Sequence, residues 1–290
     1  MLLRNGNFKH FGQNSLKYKM YPFSIITINY NNKIGLEKTL NSISSQKNKN
    51  FEFIIVDGGS TDGSVDLLRK NSKFISKYIS EKDSGIYHAM NKGIKMSSGN
   101  YLIFINSGDC LVDENVTDEI NKIKFDADIL QGDTICTRCG EISHIWEAPL
   151  YVTCNTFYSG SLSHQSALIR RELFIKTPYD ENLRIASDKK FFFEQLILHN
   201  ASYRKLNLLI AKFDVEGISN QIDMEKKKQK ENRIIINNLP PIYLADYDDF
   251  IGNRSEVEKW AYKNRYSFSV RVFSLLLIFL NKIKRKIHLR

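Results

Sequence analysis

The chain has 290 residues, 42% of them apolar, and carries a formal charge of +10 at neutral pH. This length and apolar content suit one large core or two joined half-domains, and they exclude a disordered chain. No run approaches the roughly 20 uninterrupted apolar residues that cross a bilayer, and the N-terminal stretch lacks the apolar core of an export signal, so the sequence points to a cytoplasmic protein.

Residues 1–20 are polar, basic and without periodicity, and predict a loose arm. The fold is expected to start at Tyr21. FSIITI (Phe23 to Ile28) is a β-branched apolar run too short for a helix, followed by the turn-prone NYNN and an amphipathic helix over Gly35 to Gln46. The pattern returns as FEFIIV (Phe51 to Val56), the breaker DGGSTDGS and a helical VDLLRK. It continues with the strand KYIS, a helix over Ile86 to Met96, and the strand YLIFI (Tyr101 to Ile105) ending in NSGD. Strands alternating with helices at this spacing predict an α/β fold, a Rossmann-like, mainly parallel sheet with helices on both faces. Ligands bind beyond the carboxyl ends of the strands in such sheets. Four polar clusters fall there: Asn29 to Asn32, Asp57 to Asp62, Glu81 to Gly85 and Asn106 to Asp109.

Past residue 118 the order is less regular, with strands expected at DILQGD and SALIRR, a helix over Asp188 to His199, and a strand at NLLIAKFDV. We therefore divide the fold into halves at 21–118 and 119–220, with a helical, basic extension over 221–290. The charge run MEKKKQKENR in that extension reads as a solvated helix face without a function. Its end pairs an apolar stretch, Val272 to Leu280, with Lys282, Lys284, Arg285, Lys286 and Arg290. An apolar face beside a basic cluster is the composition that docks on an anionic leaflet, so the inner face of the membrane is an expected partner.

The four cysteines (Cys110, Cys136, Cys139, Cys154) read as reduced thiols. Cys136 and Cys139 form a CxxC, yet no second ligand pair stands at zinc-site spacing. There is neither a GxGxxG after the first strand nor a GxxxxGK[ST], so the dinucleotide and P-loop fingerprints are absent.

The runs SIITINYNN, FEFIIVDGGSTDGS, EKDSGIYHAMNKGI and GNYLIFINSGD, followed by SLSHQSALIRRELF, YDENLRIASDKKFFFEQL and FDVEGIS, resemble the family 2 glycosyltransferases of the GT-A fold, especially those that build bacterial polysaccharides. The resemblance spans about Phe23 to Asn220. It implies a sugar transfer from a nucleoside diphosphate, UDP above others, to a hydroxyl of a glycan or lipid-linked acceptor, with inversion at the anomeric carbon. By that resemblance the first half binds the nucleotide-sugar and the second the acceptor. Thr27, Asn29 and Tyr30 border the nucleotide, Asp57 accepts a hydrogen bond from the base, and Asp83 is a further nucleotide-side contact. NSGD stands where the family carries its DxD-type metal motif. Asn106 there replaces an acidic residue and is expected at the ribose, while Asp109 is expected to hold Mg²⁺ or Mn²⁺. His164 and Gln165 resemble a pair near the acceptor or the diphosphate, and Asp188 resembles the general base. His88, where relatives carry Asp, is expected on a helix surface.

Two rival readings remain open on sequence. A nucleotidyltransferase also uses an α/β sheet and a metal-binding aspartate, but releases pyrophosphate from a triphosphate. A basic nucleic-acid-binding protein would account for the charge, but would mix its cations with exposed aromatics on one face. The densest basic cluster here adjoins an apolar segment instead, so no nucleic-acid partner is expected.

Overall fold

A computed structural model describes residues 21–158, 160–215, 222–237 and 239–249. The N-terminal arm and the basic segment from Val272 to Arg290 lie outside these residues.

The first half follows the expected order. β1 (Phe23–Asn29), α1 (Lys33–Ser44), β2 (Glu52–Asp57), α2 (Ser64–Lys70), β3 (Lys77–Ser80), α3 (Ile86–Met96) and β4 (Tyr101–Phe104) fall within two residues of their predicted bounds. Then come β5 (Cys110–Leu111), α4 (Val116–Lys122), β6 (Ile129–Arg138), β7 (Glu141–Trp146), α5 (Cys154–Tyr158), β8 (Ala167–Arg170), α6 (Arg171–Lys176), α7 (Ser187–Phe193), β9 (Tyr203–Asp214), α8 (Ile222–Asn237) and α9 (Pro241–Asp248).

Among the described residues the nine strands make one sheet in the order β3-β2-β1-β4-β8-β6-β9-β5, with β7 added to β6. β1 pairs in parallel with β2 and β4, and β2 with β3. β8 then runs antiparallel to both β4 and β6, so the sheet is parallel in the first half and mixed in the second.

Side-chain alternation divides the core into two layers. Ile25, Phe53, Ile55 and Ile103 meet Leu36, Leu40 and Ile43 of α1, Leu68 of α2, and Val116 and Ile120 of α4. Ile26, Ile54, Leu102 and Phe104 meet Tyr87, Met90 and Ile94 of α3, with Phe157, Phe174 and Phe191 to Phe193. Strands covered on both faces have no polar side to show, which is why they read as continuous apolar runs.

In the second half the expected helix and strand are present with added detail, and one expectation is corrected. The helix over Asp188 to His199 is α7 followed by one wide turn, Glu194–Leu198, with hydrogen bonds five residues apart. DILQGD is the start of a ten-residue strand that hairpins into β7 through Cys139 and Gly140, both at positive φ (49° and 82°). The CxxC therefore divides between a strand, where Cys136 is buried, and the tip of a turn, and all four cysteines are free thiols. Finally, the charge run is not simply a solvated face. In α8, Glu231 is buried beside Ile235 and Ile236.

Candidate active site

The carboxyl ends of β1, β2, β3 and β4 meet at one edge, and their register decides which polar residues touch. Asn29 and Asp57 are register partners, and so are Asp57 and Ser80. The Asp57 carboxylate accepts from Asn29 Nδ2 (2.8 Å), Ser60 Oγ (2.6 Å), Ser80 Oγ (2.6 Å), Ser60 N (2.9 Å) and Gly59 N (3.2 Å). Burial pushes this carboxyl up, but the serine and amide donors outweigh it and hold it below the ordinary aspartate range. Asn29 Oδ1 accepts from Ser107 Oγ at 2.8 Å, joining the same knot to the loop after β4.

Three of the residues expected beside the nucleotide are engaged within the fold. Asp57 is fully buried and accepts five hydrogen bonds from within the fold, which shape the loop after β2. Thr27 is likewise fully buried, and its Oγ1 donates to Ile105 O at 2.6 Å. Asn29 is spent on Asp57, Ser60 and Ser107. All three build the floor of this strand-end edge.

Above that floor stand Tyr30 and Asp83. Tyr30 is 66% exposed, an unusual amount for a large aromatic side chain. Gly58 lies between the two. A Cβ there would sit 2.8 Å from Asp83 Oδ2 and 3.1 Å from Tyr30 Cδ2, so only glycine lets the carboxylate and the ring approach this strand end together. Asp83 Oδ1 accepts from Gly85 N at 3.3 Å, at the entry to α3. His88 is half-buried and not a plain surface residue. Its Nδ1 accepts from Ser84 N at 3.0 Å, which steadies the loop carrying Asp83.

The NSGD turn after β4 is held by α1. Thr39 is buried, and its Oγ1 lies within hydrogen-bond distance of Asp109 O (2.7 Å), Gly108 N (3.0 Å) and Asn106 O (3.2 Å). Gly108 adopts φ +107°, which a side chain would strain, so the turn requires glycine at that point. Asp109 points inward, 6% exposed, with its carboxyl pushed up by burial to about 7 although His164, Gln165 and Lys38 favour the charged form. In the same turn Asn106 Oδ1 is buried without a hydrogen-bond partner among the described residues. A carboxylate short of positive charge and an unpaired amide oxygen are the hard oxygen donors a Mg²⁺ or Mn²⁺ ion takes, so these residues fit such an ion in the presence of a diphosphate. Among the described residues no cluster of three His, Cys, Asp or Glu gathers to form a complete protein cage.

From this turn a chain of contacts leads to Asp188. Asn106 Nδ2 lies 3.3 Å from His164 Nε2, and His164 Nδ1 lies 3.0 Å from Asp188 Oδ2. Asp188 Oδ1 accepts from the Tyr87 hydroxyl at 2.9 Å, which also lies 2.7 Å from Ile185 O. The two contacts of His164 suit one neutral tautomer, in which Nδ1–H donates to Asp188 and Nε2 accepts from Asn106. Burial raises the Asp188 carboxyl, yet His164 and Tyr87 more than offset it and hold it below the usual range, so it is ionised at neutral pH. His164 belongs to a short 3₁₀ turn, His164–Ser166, leading into β8, and Asp188 opens α7.

The sequence singled out Asp188 and missed what positions it. Glu231 of α8, 5% exposed, accepts from the backbone N–H groups of Arg184 (2.7 Å), Ile185 (2.8 Å) and Ala186 (3.0 Å). One carboxylate thus clamps the three residues that lead into the α7 start. Tyr87 was missed as well, because a tyrosine on a helical stripe reads as core. Asp188, His164 and Gln165 line a cleft of about 540 Å³ together with Thr134, Trp146 and Lys189.

Comparison with known proteins places this arrangement. The sequence profile of Glycosyl transferase family 2 matches residues 24–179, more than half of the chain. An uncharacterized glycosyltransferase of Mycobacterium tuberculosis is 27% identical over 212 residues, covering 67% of this chain and 76% of the relative. A PGL/p-HBAD biosynthesis glycosyltransferase of Mycobacterium bovis is 26% identical over 208 residues, covering 69% of this chain and 80% of the relative. Among solved structures, S. aureus TarS residues 1–349 in complex with UDP superposes with a TM-score of 0.60 at 19% identity, over 83% of this chain and 75% of that one. A mannosyltransferase from Pyrobaculum calidifontis in complex with GDP-Man and Mn²⁺ gives a TM-score of 0.59 at 15% identity, over 90% of this chain and 80% of that one. The fold is the GT-A fold, and the chain belongs to glycosyl transferase family 2 and is a glycosyltransferase.

Proposed function

We propose that the protein transfers a sugar from a UDP-sugar to an acceptor hydroxyl in cell-surface glycan synthesis, with inversion of the anomeric centre. The observation that carries this reading is Asp188, an ionised carboxylate at the floor of an open cleft, fixed by Tyr87 and His164 and connected through His164 to the NSGD turn. An inverting displacement needs one base and no enzymic nucleophile. Asp188 takes the proton from the acceptor hydroxyl as that oxygen attacks the anomeric carbon. His164 holds the Asp188 carboxylate in line and stands between the base and the donor side. Asp109 and Asn106 would hold a divalent ion, which when bound would supply charge neutralisation for the departing UDP.

Base recognition falls to Tyr30 and Asp83. The exposed Tyr30 ring offers a stacking face, and the Asp83 carboxylate over Gly58 accepts from the single imide N–H of uracil. The UDP complex of the structural relative supports UDP as the donor nucleotide. The relative named for PGL/p-HBAD biosynthesis supports an acceptor that is lipid-linked or a glycan. Residues 272–290, outside the described residues, are read as the segment that docks the enzyme on the inner face of the membrane. Among the described residues no helix is long and apolar enough to cross one.

Screening UDP-, GDP- and dTDP-sugars for thermal stabilisation with and without Mn²⁺ tests the donor. Proton NMR of the first product tests stereochemistry, since the anomeric coupling constant reports inversion directly. Stabilisation by GDP-sugars alone, or retention at the anomeric carbon, overturns the reading. Equal sedimentation with anionic liposomes of the full chain and a chain ending before Phe268 would overturn the membrane assignment.

A further inference from the structure

The cleft that holds Asp188 is lined by residues of β6, the start of α7 and α8. Its far wall carries two lysines, Lys189 and Lys228, together with Asn232. Lys189 directly follows the base, and Lys228 stands one helical turn before Glu231, the residue that fixes α8 against the loop leading to Asp188. Among the described residues neither ammonium is paired with a carboxylate. The contrast with the next residue is direct, since Lys190 reaches Asp180 at 2.7 Å. Two half-buried cations facing one cleft repel each other and lose hydration, a cost that an anion between them removes. Burial, with Lys228 adding to it, pushes the Lys189 ammonium down to about 8. The other titratable groups lining the cleft are Asp188 and His164, which are bonded to each other, and Cys136 and Tyr158, both of which burial pushes up and keeps neutral. Ser161 Oγ also lines the cleft and is buried without a partner among the described residues, a spare hydroxyl donor. Trp146 and Tyr158 add aromatic surface to the same cleft.

We infer that the acceptor carries an anionic, phosphate-type group, seated between Lys189 and Lys228 with Ser161 as an added donor, which brings the nucleophilic hydroxyl of the same molecule to Asp188. This rests on the reading of Asp188 as the acceptor-side base. The donor diphosphate is the competing occupant, but Asn106 and Asp109, read as holding its metal ion, belong to the turn at the end of β4, where Asn106 meets the ring nitrogen of His164 opposite the one bonded to Asp188. The phosphate could belong to a lipid carrier or to a phosphorylated glycan. Both present the same chemistry to the lysines.

The test is calorimetric titration of the full chain, saturated with UDP and Mn²⁺, using two matched pairs of probes. Geranyl phosphate against geraniol represents the lipid source, and glycerol 3-phosphate against glycerol the glycan source. The inference expects at least one phosphorylated probe to bind about tenfold or more tightly than its neutral twin, the range a charge-assisted contact supplies. Lys189→Met and Lys228→Met should each remove about tenfold of that preference, while Lys189→Arg and Lys228→Arg retain it and UDP affinity stays within about twofold. Lys228→Met provides the readout should Lys189→Met fail to fold. Equal binding of charged and neutral probes, or unaltered preference in both Met variants, overturns the inference while leaving the glycosyltransferase reading intact. Loss of UDP affinity in the Met variants assigns the lysines to the donor diphosphate and overturns it too. Failure of the wild type to bind UDP at all strikes the donor reading instead.

Discussion

Glu231 is the residue whose removal should do most damage for its distance from the chemistry. Its carboxylate accepts three backbone N–H bonds, from Arg184, Ile185 and Ala186 at 2.7, 2.8 and 3.0 Å, and is 5% exposed. A hydrogen bond to a charged group is worth about 1.5–3 kcal/mol when the partner is left behind, and three sharing one carboxylate do not add fully. Glu231→Ala should therefore destabilise by about 3–5 kcal/mol, a fall in melting temperature of roughly 6–20 °C for a chain of this size. Because the clamped loop ends two residues before Asp188, turnover should also drop by about tenfold or more, with UDP affinity unchanged. Glu231→Gln keeps one acceptor oxygen and should fall between the two. Urea unfolding, initial rates and UDP titration on the three proteins read these effects together. Wild-type stability and turnover in Glu231→Ala would refute the clamp, and loss of UDP affinity alone would place Glu231 on the donor side.

Other outcomes follow from the nucleotide edge and the metal turn. Asp109 has its folded-state value raised from 3.8 to about 7, so its contribution to stability is fully present below about pH 4 and is lost as pH rises through about 7, a swing on the order of 4 kcal/mol. In EDTA the wild type should melt lower at pH 8 than at pH 6, Asp109→Asn should lack that dependence, and Mn²⁺ with UDP should stabilise only the wild type at pH 8; a pH-independent wild type contradicts this. Asp83→Asn and Tyr30→Ala should each weaken UDP binding by about tenfold without lowering the melting temperature, and unchanged calorimetric affinity in both would move the base elsewhere. Asp57 behaves oppositely to Asp109: its depressed value adds stability above the unfolded range near pH 4 that is lost on further acidification, so Asp57→Asn should melt lower than wild type at pH 7, and the gap should close in acid.

The first half of the fold was legible because β1, β2 and β4 are buried and carry nearly unbroken apolar runs between Gly- and Asn-rich breakers. Asp188, Asp109 and His164 were singled out through the resemblance of their motifs to the family, and the structure brings His164 and Asp188 within 3.0 Å. For Thr27, Asn29 and Asp57, strand-end position does not reveal that neighbouring strands and loops already engage their hydrogen bonds. Asp57 and Asn29 face each other across adjacent strands, which only the β1–β2 pairing shows. Glu231 and Lys228 were hidden within a run of similar charges. Helical spacing does not say which face of such a run meets the fold, and that depends on the distant loop at Arg184 to Ala186.

The central claim is that Asp188 is the base, and Asp188→Asn tests it most directly because the amide keeps the shape and removes the proton acceptor. General-base catalysis supplies about 10²- to 10⁴-fold. Initial rates of sugar transfer, measured with UDP affinity and thermal melting on the same preparations, should show turnover reduced at least 100-fold while donor affinity holds and the fold persists, with at most the modest loss expected for weakening the contacts to His164 and Tyr87. Near-normal turnover in Asp188→Asn would contradict the account.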